Sequence, residues 1–363
     1  MSEITAGILS ICNLPIMALI LLGTFMGIIV GAIPGLSVTM GVALFLPLTF
    51  GMDPIAGLSL LCGLYIGGTS GGLISAILLK MPGTAASVAT TFDGHPMAAR
   101  GEAGKALGVG IVASFFGGLI SYIILMLLAP FIAKFALQFG PYEYFSIGLF
   151  SLTMIVSLSS GSLVKGVLSG MIGLILAFVG IAPITSFTRF TFGISELNAG
   201  FSMIPMLIGL FAVAEVLTAL EDKNKPGEER AQDCKIKGFG FTLNDIKGQG
   251  SNFLISTMIG TAIGIIPAAG ANIAAFLAYD QAKRFSKEPD TFGKGNYNGI
   301  IASEASNNGV CGGALVPLLT LGIPGDAVTS VLIGGLMIQG LTPGSLLFKE
   351  HMDVVIGMFT TLF

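Results

Sequence analysis

Glycine and proline punctuate two apolar runs of this chain in one pattern: Gly27, Gly31 and Pro34 return as Gly260, Gly264 and Pro267, each 233 positions later. A second pattern follows each copy in the same order. Leu78-Leu79-Lys80-Met81-Pro82-Gly83-Thr84-Ala85 returns as Leu319-Thr320-Leu321-Gly322-Ile323-Pro324-Gly325-Asp326-Ala327, with one residue inserted. Proline inside a helix removes a backbone donor and clashes with the preceding turn, and glycine beside it lets the chain change direction sharply. Each half of the chain is therefore expected to hold two interrupted helices. Paired interruptions at membrane depth point to a secondary transporter whose site lies between two repeats.

The composition places those breaks in lipid. Of all residues 53% are hydrophobic and 10% charged, whereas a soluble domain is about a quarter charged. Before Lys80 the only charged side chains are Glu3 and Asp53, so this stretch belongs in lipid or in protein. The N-terminus has no basic n-region and no small-residue cleavage site, and its first apolar segment is expected to stay in the mature protein. Cys12, Cys62, Cys234 and Cys311 have neither C-x-x-C spacing nor a histidine partner, so no zinc site or disulfide framework is expected. The net charge of -3, with no basic stripe interleaved with aromatics, gives no reason to expect a nucleic-acid partner.

Apolar blocks fill residues 14 to 220 and resume from 251 to 363, giving a first membrane repeat at 1–220 and a second at 251–363. Several blocks are too long for one span of about 20 residues or are broken by Pro-Gly, which predicts re-entrant hairpins beside true spans. Between the repeats, residues 221–250 carry six basic and six acidic side chains and read as a charged cytoplasmic connector. The first motif copy is preceded by no Lys or Arg and the second by this basic connector, so the repeats are expected to be inverted. The fold class is an all-α polytopic membrane protein.

The chemistry concentrates at the breaks. Where the chain resumes after Pro82-Gly83, Thr84 is placed to cap a new half-helix, whose unpaired N–H groups and positive dipole end attract anions. The four tips supply the expected solute-binding residues: Pro34, Gly35, Ser37 and Thr39; Pro82, Gly83, Thr84 and Ser87; Gly270 and Asn272; Gly325 and Thr329. A blander role stands beside each, packing for Gly27 and Gly260 and capping or intrahelical bonding for the hydroxyls. Asp326 takes the place of Thr84 in the second copy, and Asn307 and Asn308 enter an apolar block with Glu304. These three, Asn307, Asn308 and Asp326, are expected to serve the coupling ion, Na+ or H+; a helix cap for Asp326 and interhelical bonding for the amides are the alternatives.

His95 and His351, near Asp93 and Asp353, read as solvated side chains beside loops, and no further histidine exists to build a metal site. No Ser-His-Asp set or G-x-x-x-x-G-K-[ST] loop is present, which removes the common hydrolase and ATP-driven pump signatures and leaves gradient-driven transport. The rival is a membrane-embedded enzyme acting on a lipid-phase substrate, with Asp93, His95 or Glu304 as catalytic groups. Pairing of both breaks favours the transporter, because a catalytic constellation needs no duplication.

Longer strings carry a family resemblance. Gly31-Ala32-Ile33-Pro34-Gly35 leading into Leu46-Pro47-Leu48-Thr49-Phe50-Gly51, then Met81-Pro82-Gly83-Thr84-Ala85-Ala86-Ser87-Val88 with Asp93-Gly94-His95-Pro96-Met97-Ala98, Phe139-Gly140-Pro141-Tyr142-Glu143-Tyr144-Phe145, and Gly312-Gly313-Ala314-Leu315-Val316-Pro317 running on to Gly325 resemble the large membrane subunit of tripartite tricarboxylate transporters, the TctA family. The resemblance runs from about residue 14 to the end. It implies a multi-pass permease of the bacterial inner membrane that works with a small membrane subunit and a periplasmic solute-binding protein. Its cargo would be citrate-like tricarboxylates or other organic acids, moved on an ion gradient without a cofactor. Ser37 and Ala268 stand where the family pattern has glycine, which leaves the identity of the solute open. Family members are longer than this chain, and its last apolar run, Val354 to Phe363, is too short to span, so the C-terminus reads as truncated.

Overall fold

The computed structural model describes residues 9, 11–158, 162–182, 187–201, 205–206, 208–214, 217, 241–242 and 246–363. The connector expected at 221–250, and with it Cys234, falls mostly outside the described residues. The first half opens with α1 (Leu14–Ala32), α2 (Val38–Phe45), α3 (Pro54–Leu79), α4 (Val88–Ala99) and α5 (Ala103–Ala136). It continues with α6 (Pro141–Leu158) and α7 (Leu163–Phe178). The second half contributes α8 (Gly250–Ile265), α9 (Gly270–Arg284), α10 (Tyr297–Leu321), α11 (Ala327–Ile338) and α12 (Met352–Thr361). A two-residue antiparallel ribbon, with Gly180 opposite Arg189, is a small exception to the all-α expectation.

The breaks fall where the prolines put them. α1 ends as Ile33 turns extended, the conformation a residue before proline prefers. α3 starts at an Asp53 cap with Pro54 in its first turn, and stops at Lys80 in the left-handed conformation, φ 57°. α10 stops in the same way at Gly322, φ 71°, two residues before Pro324. Among the described residues three helices, α1, α3 and α5, are long and apolar enough to cross a membrane. α5, with 34 residues, is about 50 Å long.

Two helices form the centre. α10 is buried on every side from Gly299 to Thr320, so protein surrounds it completely. α3 is similarly enclosed, whereas α1 turns Leu14, Met17, Leu21 and Phe25 outward, and α7 exposes Leu163, Leu168, Met171 and Ile175. Such continuous apolar surfaces belong against lipid acyl chains. The repeated glycines explain how each central helix receives its partner. A Cβ on Gly27 of α1 would lie 2.7 Å from the Gly68 nitrogen of α3, and one on Gly264 of α8 would lie 2.9 Å from the Ala314 nitrogen of α10. Only hydrogen fits in these contacts, and bare backbones approach closely at both.

The halves cross over. α4 and α5 of the first half pack on α10 of the second, and α11 and α12 of the second pack on α2 and α3 of the first. Gly312 of α10 meets Ser121 of α5, and Ser59 of α3 shares a 2.8 Å hydrogen bond with Thr361 of α12. Neither half could bury its central helix alone, and the crossing brings all four breaks to one place.

Candidate functional site

The four tips enclose a cavity of about 660 Å³. Gly35, Ser37 and Thr39 line it from the first tip, Pro82, Gly83 and Thr84 from the second, Gly270 and Asn272 from the third, and Asp326 from the fourth. Asn307 of α10 faces it too. Tyr65 and Thr69 of α3 and Cys311 of α10 complete the polar part of the wall. Among the described residues lining it there is no Lys or Arg.

Three of the tips deliver helix N-termini capped by a side chain to this wall. Ser37 caps α2 by accepting from the Met40 N–H at 3.0 Å. Thr84 caps the short 3-10 turn ahead of α4, its Oγ1 accepting from the Ser87 N–H at 3.3 Å. Asp326 caps α11 with a complete box: its Oδ1 accepts from the Thr329 N–H at 2.7 Å, and Thr329 Oγ1 accepts from the Asp326 N–H at 2.8 Å. Its other oxygen accepts from the Tyr65 hydroxyl at 2.6 Å, which joins the fourth tip to α3. The third tip is tied to the fourth by a backbone bond from Ala268 N–H to the Gly325 carbonyl, 2.9 Å.

Five expected site residues stand behind the wall. Ser87 is fully buried and bonds the Thr84 hydroxyl at 2.7 Å, so it holds Thr84 from behind and does not line the cavity. Thr329 is fully buried within its capping box, and Gly325 is buried with its carbonyl engaged. Pro34 shapes the first turn and does not line the cavity. Asn308 sits behind Asn307, accepting from Ser70 at 2.8 Å and donating to the Glu304 carbonyl at 3.1 Å. Asn307 donates to the Thr69 carbonyl at 3.3 Å. The three expected ion-coupling residues are thus parts of a hydrogen-bonded seam between α3, α10 and α11.

The groups named for an enzyme lie elsewhere. Asp93 and His95 are on α4, not beside a loop; the buried face of that helix runs through Ala89, Thr90, Asp93, Gly94 and Met97. Asp93 is fully buried and accepts from the N–H groups of Gly293, Gly295 and Asn296 at 2.9, 2.8 and 2.7 Å and from the Tyr279 hydroxyl at 2.8 Å. It binds the segment after α9 to α4. His95 contacts the Ile77 carbonyl at 3.3 Å. Neither residue, nor Glu304, lines the cavity. Among the described residues no group of three His, Cys, Asp or Glu is placed to hold a metal ion.

Sequence reasoning missed Tyr65, Thr69 and Cys311. The signal was present in Tyr65-Ile66-Gly67-Gly68-Thr69-Ser70, where three hydroxyls interrupt an otherwise apolar helix.

The model of the "Tripartite tricarboxylate transporter TctA family" matches residues 17–363. The chain belongs to the TctA family. It is 35% identical over 322 residues to an "Uncharacterized 52.8 kDa protein in TAR-I ttuC' 3'region" of Agrobacterium vitis, covering 89% of this chain and 64% of that one. It is 39% identical over 85 residues to an "Uncharacterized protein in TAR-II ttuC' 3'region" of the same organism, covering 23% of this chain and 35% of that one. This chain therefore spans less than two thirds of the length of these curated relatives. No solved structure matches it. Family and exposed apolar helices together make it a multi-pass membrane protein, as fits the bacterial inner membrane.

Proposed function

We propose that this TctA-family chain is the permease subunit of a binding-protein-dependent transporter that imports tricarboxylates or related organic carboxylates across the bacterial inner membrane. A sodium or proton gradient drives it, a periplasmic solute-binding protein delivers the solute, and a small membrane subunit completes the assembly. The observation that carries this reading is the cavity. Helix N-termini from all four tips and several hydroxyls meet at one place, with no basic side chain among the described lining residues, which is how backbone amides receive an anion at membrane depth.

Asp326 is the one carboxylate among the described residues of that wall. An anion entering beside it brings like charge into a low-dielectric site, so a cation or proton has to enter with it. That requirement supports ion coupling through the seam of Asp326, Asn307 and Asn308. The paired order of helices and breaks supports two inverted repeats, which rock about the shared cavity.

Reconstitution tests the reading. Proteoliposomes holding the full permease and its small subunit should take up labelled citrate or a related acid only when a loaded binding protein is supplied. The recovered solute should be chemically unchanged. Chemical conversion of the solute, or uptake indifferent to the binding protein, would overturn the proposal. Impermeant thiol reagent added outside intact cells should modify a cysteine at Ser2 and spare one at Gly227; the opposite result removes the inverted arrangement.

A further inference from the structure

Glu304 lies in α10, one helical turn before Asn307, and is completely buried. Its carboxyl group meets no base. Thr90 of α4 lies 2.5 Å from Oε1, Ser114 of α5 donates to Oε2 at 3.1 Å, and the Asn307 amide also reaches the group. The described ion pairs, Arg100 with Glu102 and Arg284 with Asp280, are at the surface.

Every helix packed against this position can be checked for charge. α8 carries no titratable side chain, and α3 offers Cys62 and Tyr65, the latter bonded to Asp326. α4 brings Asp93, one turn from Thr90 and satisfied by Tyr279 of α9 and the 293–296 amides, and His95, which faces the Ile77 carbonyl. On α5, Lys105 stands over the Tyr297 ring, more than two turns from Ser114, and Tyr122 lies two turns beyond it. On α10 itself the nearest are Tyr297, two turns before, and Cys311, two turns further on. An isolated carboxylate at this depth would be strongly disfavoured.

The hydrogen bonds say how the group is accommodated. Thr90 Oγ1 has one hydrogen and two neighbours, Glu304 Oε1 at 2.5 Å and Ser303 Oγ at 3.1 Å. The Ser303 hydrogen is used on the Gly299 carbonyl at 2.8 Å. All three contacts are hydrogen bonds only if Glu304 supplies the first hydrogen: Glu304 donates to Thr90, Thr90 to Ser303, and Ser303 to Gly299. The second carboxyl oxygen remains the acceptor for Ser114.

We propose that Glu304 is a reversible proton-binding site, and that its proton is the one coupled to solute entry. This rests on the carboxylate-transport reading of the cavity, which Asn307 lines while reaching Glu304. A solute anion in the cavity raises the proton affinity of Glu304, and by linkage a proton on Glu304 raises the affinity for the anion. One proton is taken from the outer aqueous phase with the solute and released on the inner side, leaving Glu304 ionised only in passing.

Infrared spectra of the full chain in lipid, recorded without solute across a pH titration, test the site directly. A protonated carboxylic acid C=O band is expected in the wild type, absent in Glu304→Gln and restored at a shifted position in Glu304→Asp. Thr90→Val removes the acceptor of the acid hydrogen and should move both the band and its titration midpoint. If Glu304→Gln fails to fold, that shift in Thr90→Val still decides the matter. A spectrum without a titrating acid band, or a band indifferent to both substitutions, overturns the site. In proteoliposomes of the complete transporter, an inward proton gradient should drive accumulation in the wild type and lose its effect in Glu304→Gln, with solute exchange reduced far less. Uptake driven by sodium and indifferent to the proton gradient overturns the coupling role. Failure of the wild type to carry any organic acid, with the band present, instead removes the transport reading and leaves the proton site standing.

Discussion

The second and fourth tips share a backbone design and differ in chemistry. Each follows a buried central helix that ends in a left-handed residue, Lys80 or Gly322, passes through Pro-Gly and restarts under a side-chain cap. The first-half cap is Thr84 backed by Ser87, neutral and held by one 3.3 Å bond to backbone. Its counterpart is Asp326, in a full capping box and bonded to Tyr65 of the other half. One tip is therefore a lightly held hydroxyl facing the cavity and the other a firmly held charge. The shared part builds the cavity, and the unshared part gives the site its polarity.

The largest expected effect breaks what the halves have in common. Leu at Gly27 or Gly260 would place a side chain where backbone atoms of α3 or α10 already stand. Overpacking of this kind costs about 1 to 3 kcal/mol even where neighbours can shift, and here they are backbone. Both variants should be nearly absent from the membrane, and normal abundance of either would show that the close approach is not needed.

A smaller effect separates the caps. Asp326→Ala removes a charged cap and strands the buried Tyr65 hydroxyl, a loss of about 2 to 4 kcal/mol. Thr84→Ala removes only a long neutral bond, about 0.5 to 1 kcal/mol. Thermal unfolding of the purified protein should show the larger drop for Asp326→Ala; equal drops would make the two tips equivalent. In uptake assays Thr84→Ala should raise KM by about tenfold, the loss of one charge-assisted bond of about 1.5 kcal/mol. Ser87→Ala, which acts only through Thr84, should raise it less, and the reverse order would place Ser87 against the solute.

The smallest effect concerns the third tip. Ala268 is left-handed at φ 60°, a conformation that costs a side-chain-bearing residue about 1 kcal/mol. Ala268→Gly should therefore stabilise the protein slightly, and a lower melting temperature would show that the tip does not hold this turn. Ala268 is thus mildly strained in its turn, whereas at the first tip Ser37 caps α2.

Much of this was legible in the sequence, for physical reasons that differ between elements. Proline and glycine act locally, so Pro34, Pro82, Pro267 and Pro324 located the breaks, and Thr84 and Asp326 could be placed as caps. The glycine pairs read correctly as packing contacts because backbone approach is what glycine permits. Which hydroxyls face the cavity was not legible. Ser87 and Thr329 occupy equivalent positions one turn into their helices, and only the crossing of α4 onto α10 and α11 onto α3 decides that both are buried. The contacts of Tyr65 and Glu304 were hidden for the same reason. Their partners Asp326, Thr90 and Ser114 lie 261, 214 and 190 positions away in the chain.

The central claim is that tips from both halves receive one solute. The direct measurement is thiol protection in the reconstituted transporter, with Thr39→Cys and Asn272→Cys introduced singly after Cys311 is replaced by Ser, since Cys311 also lines the cavity. A transported carboxylate should slow labelling of both cysteines with the same half-protecting concentration, and leave a cysteine at exposed Lys287 unaffected. Protection of one tip alone, or of neither, would contradict a cavity shared between the halves.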